Sequence, residues 1–165
     1  MSTTFPCCFP STASPLRQYV LHRFVFHMDE WISDSPNAIT AHFLMHGCHH
    51  KVPNDRYRLV MPPVAAIVLY FVCGSLTRLL TLPFLHTFWV FWVFWSGNVF
   101  GYVAYDLTHY ATHHGNFHPS SYLGSLRKYH LRHHYNNQFN VGFGITSKLW
   151  DMVFGTVLPL DDKGK

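Results

Sequence analysis

Apolar and polar residues follow distinct regimes along this chain. Residues 1–15 are rich in Ser, Thr and Pro and lack a continuous apolar core, so they read as a disordered leader, neither a signal peptide nor a membrane span. From Leu16 the stretch LRQYVLHRFVFHMDEW carries a mixed helical pattern. The cluster SDSPN marks a turn, and AITAHFLMHGCHH after it reads as another helix. A polar, basic stretch, KVPNDRYR, precedes two segments of a different kind. Residues 59–76 and 82–105 contain no charged residue, and each lies within the roughly 17–25 residues that cross a hydrocarbon core. Between them, TRLLT holds a single charge, Arg78. Beyond Tyr105 the chain turns amphipathic, and it ends in a Gly-rich, polar region with a tail over residues 157–165.

Two successive spans return the chain to the side it left, so the segments before residue 59 and after residue 105 share one side of the membrane. Of the 12 Lys and Arg residues only Arg78 falls on the far side. The positive-inside rule then places the shared side in the cytosol. The alternative is a long buried hairpin inside a soluble core, which runs of this length seldom form.

Composition narrows the choice. The chain has 165 residues, a length that suits one domain. Charged residues make up 12% of it, against roughly 25% in a soluble globular domain. Hydrophobic residues reach 48% and aromatics 18%, which excludes a disordered chain. The 4 Cys include the adjacent pair Cys7 and Cys8 and form no secreted disulfide pattern. A net charge of +4 is too small for a nucleic-acid surface, and no nucleic-acid partner is expected. Neither a Gly-rich phosphate loop nor a nucleophile elbow is present.

Histidine changes the picture. There are 14 His against 8 acidic residues, and all lie between His22 and His134. They recur as His22 and His27 in HRFVFH; His46, His49 and His50 in HGCHH; His109, His113 and His114 in HYATHH; and His130, His133 and His134 in YHLRHH. Residues three and four apart share a helix face, so His46/His49/His50, His109/His113 and His130/His133/His134 each present adjacent imidazoles in one direction. Neutral imidazole is the commonest protein ligand for transition metals, and ionisable groups beside a membrane are costly enough to be functional. So many imidazoles exceed the four that tetrahedral zinc takes, which indicates two ions. Soluble di-iron bundles use Glu ligands, whereas the one Glu here is Glu30, so the site is nearly all His.

The motifs HRFVFH, HGCHHKVPNDRYRLV, GYVAYDLTHYATHHG, KYHLRHHY and GFGITSKLWDMVFGT, in that order, closely resemble those of the fatty acid 2-hydroxylases of sphingolipid synthesis, within the membrane fatty acid hydroxylase and sterol desaturase superfamily. The resemblance covers residues 16–156. It implies an all-α integral membrane protein of the endoplasmic reticulum, a transmembrane helical hairpin with a His-rich cytosolic cap holding a dimetal centre. It also implies an oxidoreductase, a monooxygenase that uses O2 and electrons from cytochrome b5 to hydroxylate C2 of a long-chain fatty acid or ceramide acyl group. Iron is the expected catalytic metal, because zinc has no redox chemistry, though zinc can occupy an all-His site.

Carried over position by position, the resemblance implies metal ligation by His22, His27, His46, His49, His50, His109, His113, His130, His133 and His134. His42, one turn before His46, and Asp106, one turn before His109, are candidates to support ligands through hydrogen bonds. His86 is expected to be a packed residue of the second span, His114 a non-ligand, and His118 a loop residue. Trp150 and Asp151 match the LWD segment and are expected to serve the cap's structure; Cys48 is expected to pack. The two further membrane helices that relatives carry before HRxxxH, and the cytochrome b5 domain many of them include, are not expected within this sequence. A sterol desaturase or carotenoid hydroxylase sibling would share the His pattern, and a non-enzymatic membrane metal-binding protein is the remaining alternative. The latter would need ligands along the spans, where only His86 lies.

Overall fold

The computed structural model describes residues 13–82, 88–135 and 140–159, and among these it holds helices and no strand. Most of the expected leader, most of the expected tail and His86 lie outside the described residues. Residues 13–15, counted with the leader from composition, are the first turn of helix α1 (Ala13–Leu21). Helix α1 runs on into a π-helical turn, His22–Phe26. Helix α2 (Pro36–His42) starts where the SDSPN cluster ends: Ser35 Oγ accepts the backbone N–H of Ala38 (3.3 Å) and Pro36 sits in the first turn, where its missing N–H costs nothing. It passes through a second π-helical turn, Phe43–Gly47, into α3 (Cys48–Lys51).

The two charge-free segments correspond to α4 (Pro63–Thr81) and α5 (Phe88–His114). The expected first span began at Leu59, but Pro62 and Pro63 move the helix start to Pro63, because a residue preceding proline is kept out of the helical region. At its other end α4 extends past Arg78 to Thr81. Among the described residues no helix is long and apolar enough to cross a membrane. Helix α5 does not end where its apolar residues end; it continues as one helix into the segment bearing His109 and His113. Helices α6 (Tyr122–Tyr135) and α7 (Leu149–Phe154) complete the chain, and α7 stops at Gly155, whose φ of +68° suits glycine.

Helix α5 packs against α4 along one part of its length and against α1 and α6 elsewhere, while α7 packs on α1. The seam between α4 and α5 centres on Trp95, which is 7% exposed and donates its indole N–H to Tyr70 Oη (2.9 Å). Elsewhere these two helices turn large apolar side chains outward: Val64 and Trp89 are each 74% exposed, and Phe71, Val93 and Phe100 are also exposed. The other core is different. Tyr19, Leu126, Phe143 and Ile145 are among its buried apolar members, with Tyr19 stacked on Phe154 (5.2 Å) and edge-on to Phe143 (5.9 Å). Around them most of the buried side chains are imidazoles.

Candidate metal centre

The first π-helical turn solves a problem of angle. Residues five apart on an α-helix are about 140° apart around its axis, on different faces. Widening the turn between His22 and His27, so that His27 N–H bonds the His22 carbonyl (3.0 Å), brings the two rings to 4.9 Å. The second π-helical turn, closed by Cys48 N–H on the Phe43 carbonyl, precedes His49 and His50. Helices α5 and α6 need no such device, because His109/His113 and His130/His134 are four apart.

These elements gather imidazole nitrogens into two sets. One comprises His49, His109, His113, His130 and His134, the other His22, His27, His46 and His50; within each, one ring nitrogen per residue lies within 4.8 Å of all the others. His133 is a member of neither set, but its Nε2 is 3.0 Å from His27 Nε2. Neighbouring Nε2 atoms are 2.8 Å apart in His113/His130, 3.0 Å in His134/His130 and His50/His46, and 3.1 Å in His109/His49. Two nitrogens held about 2.1 Å from a common ion at 90–110° would be about 3.0–3.4 Å apart. The donor set therefore fits transition-metal ions, and the buried imidazole clusters can hold them. His22 Nε2 adds a second sign: it is buried and has no hydrogen-bond partner, the state of a lone pair reserved for a ligand.

Burial and the neighbouring imidazoles keep these rings neutral, which is the form that binds metal. His113 is pushed down to about 4 chiefly by burial, His49 to about 3 by burial and His113, and His50 to about 2 by burial and His133. His22, His46, His109 and His130 fall well below the ordinary imidazole value for the same reasons, burial first.

Backbone carbonyls orient two of the rings. His22 Nδ1 lies 2.6 Å from the Phe143 carbonyl and His133 Nδ1 lies 2.8 Å from the Val141 carbonyl, so each ring donates there and turns Nε2 inward. The loop that supplies both carbonyls hangs on Asp151, which is fully buried. Its carboxylate accepts the N–H of Phe143 (2.9 Å) and of Gly144 (2.7 Å) and the Thr156 hydroxyl (2.8 Å). A Cβ at position 144 would come within 2.6 Å of the Asp151 carboxylate, and Gly142 has φ +80°, so both glycines are required by the loop. Asp151 thus does more than shape the cap: it holds two imidazoles in register through the loop. Its signal in the sequence was the LWD motif, but the carbonyls it positions leave no side-chain signature.

The remaining candidates fall outside the two sets. His42 does not touch a ligand ring; its Nε2 is 2.7 Å from the Phe26 carbonyl and its Nδ1 3.6 Å from Asp29, so it braces the turn between His22 and His27. Asp106 departs from the expected acceptor role. Among the described residues it has no hydrogen bond to an imidazole and is half-buried beside a small cavity lined also by His46, His49 and His109. His114 is exposed and lies against Tyr110 (4.8 Å); His118 is exposed with Nδ1 2.7 Å from Ser120 Oγ. Cys48 Sγ donates to the Leu44 carbonyl at 3.6 Å, a local contact.

Residues 8–156 match the model of the fatty acid hydroxylase family. The chain is 44% identical over 98% of its length to the ceramide very long chain fatty acid hydroxylase of Saccharomyces cerevisiae, covering 41% of that protein. It is 46% identical over 86% of its length to a dihydroceramide fatty acyl 2-hydroxylase of Arabidopsis thaliana, covering 56% of it, and 46% identical over 87% of its length to the human fatty acid 2-hydroxylase, covering 37% of it. The chain therefore spans about half or less of the length of the relatives it matches. A solved structure of full-length Scs7p, in which only the hydroxylase domain is visible, superposes with a TM-score of 0.79 at 44% identity, over 90% of this chain and 53% of that one.

Proposed function

This chain belongs to the fatty acid hydroxylase family, and on that premise we propose that it is the catalytic region of a membrane monooxygenase that hydroxylates C2 of long-chain fatty acyl groups for sphingolipid synthesis. The observation that carries the reading is the convergence of imidazole nitrogens from four parts of the chain into two adjacent sets with metal-ligand spacing. Two ions, with His22, His27, His46, His50 and His133 around one and His49, His109, His113, His130 and His134 around the other, account for every ring in the cluster. Bound metal supplies the redox chemistry that activates O2 against an unactivated C–H bond, for which no side chain suffices and for which iron is suited where zinc is not. The chain's part is to keep ten rings neutral, to fix His22 and His133 through the Phe143 and Val141 carbonyls, and to exclude water with Phe26, whose ring stacks on His46 (5.0 Å). Cytochrome b5 is the proposed electron donor. A fatty acid or ceramide is the proposed substrate, in keeping with the names of the relatives.

We place the site on the cytosolic face of the endoplasmic reticulum membrane. The exposed apolar side chains of α4 and α5 and the position of Arg78 as the lone basic residue between two charge-free segments support this. Expression in cells that lack 2-hydroxylated sphingolipids, followed by lipid mass spectrometry, tests the activity. Appearance of 2-hydroxyacyl species is expected, and their absence with metal-loaded protein present would overturn the reading. In the same cells, an engineered glycosylation site beside Arg78 should be modified and one beside Pro119 should not; the opposite pattern would invert the topology.

A further inference from the structure

We propose that the cavity between α1, α4 and α5 measures the acyl chain, with Trp95 as its stop; the proposal rests on the hydroxylase reading above. The cavity has a volume of about 410 Å³ and an overwhelmingly apolar lining. That size is within the range of small-molecule sites. It adjoins the small cavity beside His46, His49 and His109, with Phe26, Met61, Tyr102 and Tyr105 lining both.

The order of the lining residues gives the cavity a direction. On α5 they run from Trp95 through Asn98 and Val99 to Tyr102 and Tyr105, after which Asp106 and His109 line the small cavity. On α4, which runs the other way, Ala66 and Ile67 lie nearer Met61 and the imidazoles, Tyr70 lies 4.6 Å from Trp95, and Cys73 lines the cavity one turn beyond Tyr70. At 1.5 Å per residue, Trp95 is about 21 Å along α5 from His109. A chain whose C2 faces the imidazoles would extend along α5 and end against the indole.

The indole is fixed. Its N–H is held by Tyr70 Oη (2.9 Å), its face lies parallel to Phe91 (6.3 Å), and a Cβ at Gly74 would come within 3.0 Å of its ring, so α4 closes on it with no slack. Each methylene buried or denied burial changes affinity about fourfold, so a stop of this kind discriminates chains differing by two carbons by about fifteenfold. Chains too short leave apolar surface unfilled, and chains too long meet a hydrogen-bonded side chain at that end.

The test is a competition among saturated acyl substrates of graded length, with metal-loaded full chain in membranes and mass spectrometry of the 2-hydroxy products. Trp95→Ala should move the product distribution by at least one two-carbon step toward longer chains, about fifteenfold in relative specificity. Cys73→Phe, which fills the same end while leaving Trp95 in place, should move it toward shorter chains, and it decides the matter alone if Trp95→Ala does not fold. Bound metal should equal that of the unsubstituted protein in both. An unshifted distribution in the folded variants, with the unsubstituted protein active, overturns the stop and leaves the hydroxylase reading standing. No hydroxylated product from the unsubstituted protein at any chain length overturns both.

Discussion

Helix α5 passes through two environments, and the contrast between its halves explains the molecule. In the first half Trp89, Val93 and Phe100 face outward while Trp95 is buried, whereas in the second half His109 and His113 are 3% and 4% exposed. An ordinary soluble protein buries its indoles and phenyl rings and solvates its imidazoles. Here the half rich in apolar side chains holds few of them against the protein and leaves the others exposed. The half with titratable side chains is packed against α6, with the His109 ring 4.7 Å from that of His49 on α3. Burial follows the metal-ligand chemistry, because desolvation of several imidazoles is tolerable only where they remain neutral and share a common task.

The largest effect expected from breaking that contrast is at a buried imidazole. His130→Ala should abolish hydroxylation and lower bound metal by elemental analysis, exceeding the roughly 10–100-fold loss typical of residues that act only through a ligand. Phe100→Ala, on the outward apolar half, should change stability by no more than about 0.5 kcal/mol and leave metal content intact. Equal metal loss in the two variants would show that the halves are not distinct in function. His114→Ala should resemble Phe100→Ala, because His114 lies outside both sets of ring nitrogens.

A smaller effect sharpens the comparison by acting on the support and leaving every ligand in place. Asp151→Asn replaces an acceptor oxygen with a donor and leaves one buried partner of the 142–144 loop unpaired, at a cost of about 1–3 kcal/mol. Activity should fall about 10–100-fold while metal is retained but bound less tightly, because the Phe143 and Val141 carbonyls no longer hold His22 and His133. A variant with the unsubstituted protein's melting temperature and metal affinity would show that the loop stands without Asp151.

Much of this arrangement was legible in the residues. The spacing of His109/His113 and His130/His134 already implies a shared helix face, since both members lie within one regular helix whose geometry is local. The charge-free runs likewise announced α4 and α5, with the start of α4 displaced by Pro62 and Pro63. Asp106 differs: its interval from His109 is correct for a helical neighbour, yet among the described residues it makes no hydrogen bond to an imidazole, because spacing places two residues on one face without fixing which partner a side chain takes.

The sequence by itself determined which chemistry is present and which helices carry it, because helix periodicity, apolar run length and the absence of carboxylate ligands are properties of short stretches. Only the tertiary structure decided how the imidazoles divide. His49 joins one set and its neighbour His50 the other, and His133 turns to His27 while His130 and His134 turn to His113 and His49. That division depends on how helices from distant parts of the chain cross, on two π-helical turns that rotate one run of residues against the next, and on carbonyls at Val141 and Phe143 that any residue would possess. No local pattern encodes such contacts, because each is fixed by the packing of elements that meet only when the chain is folded.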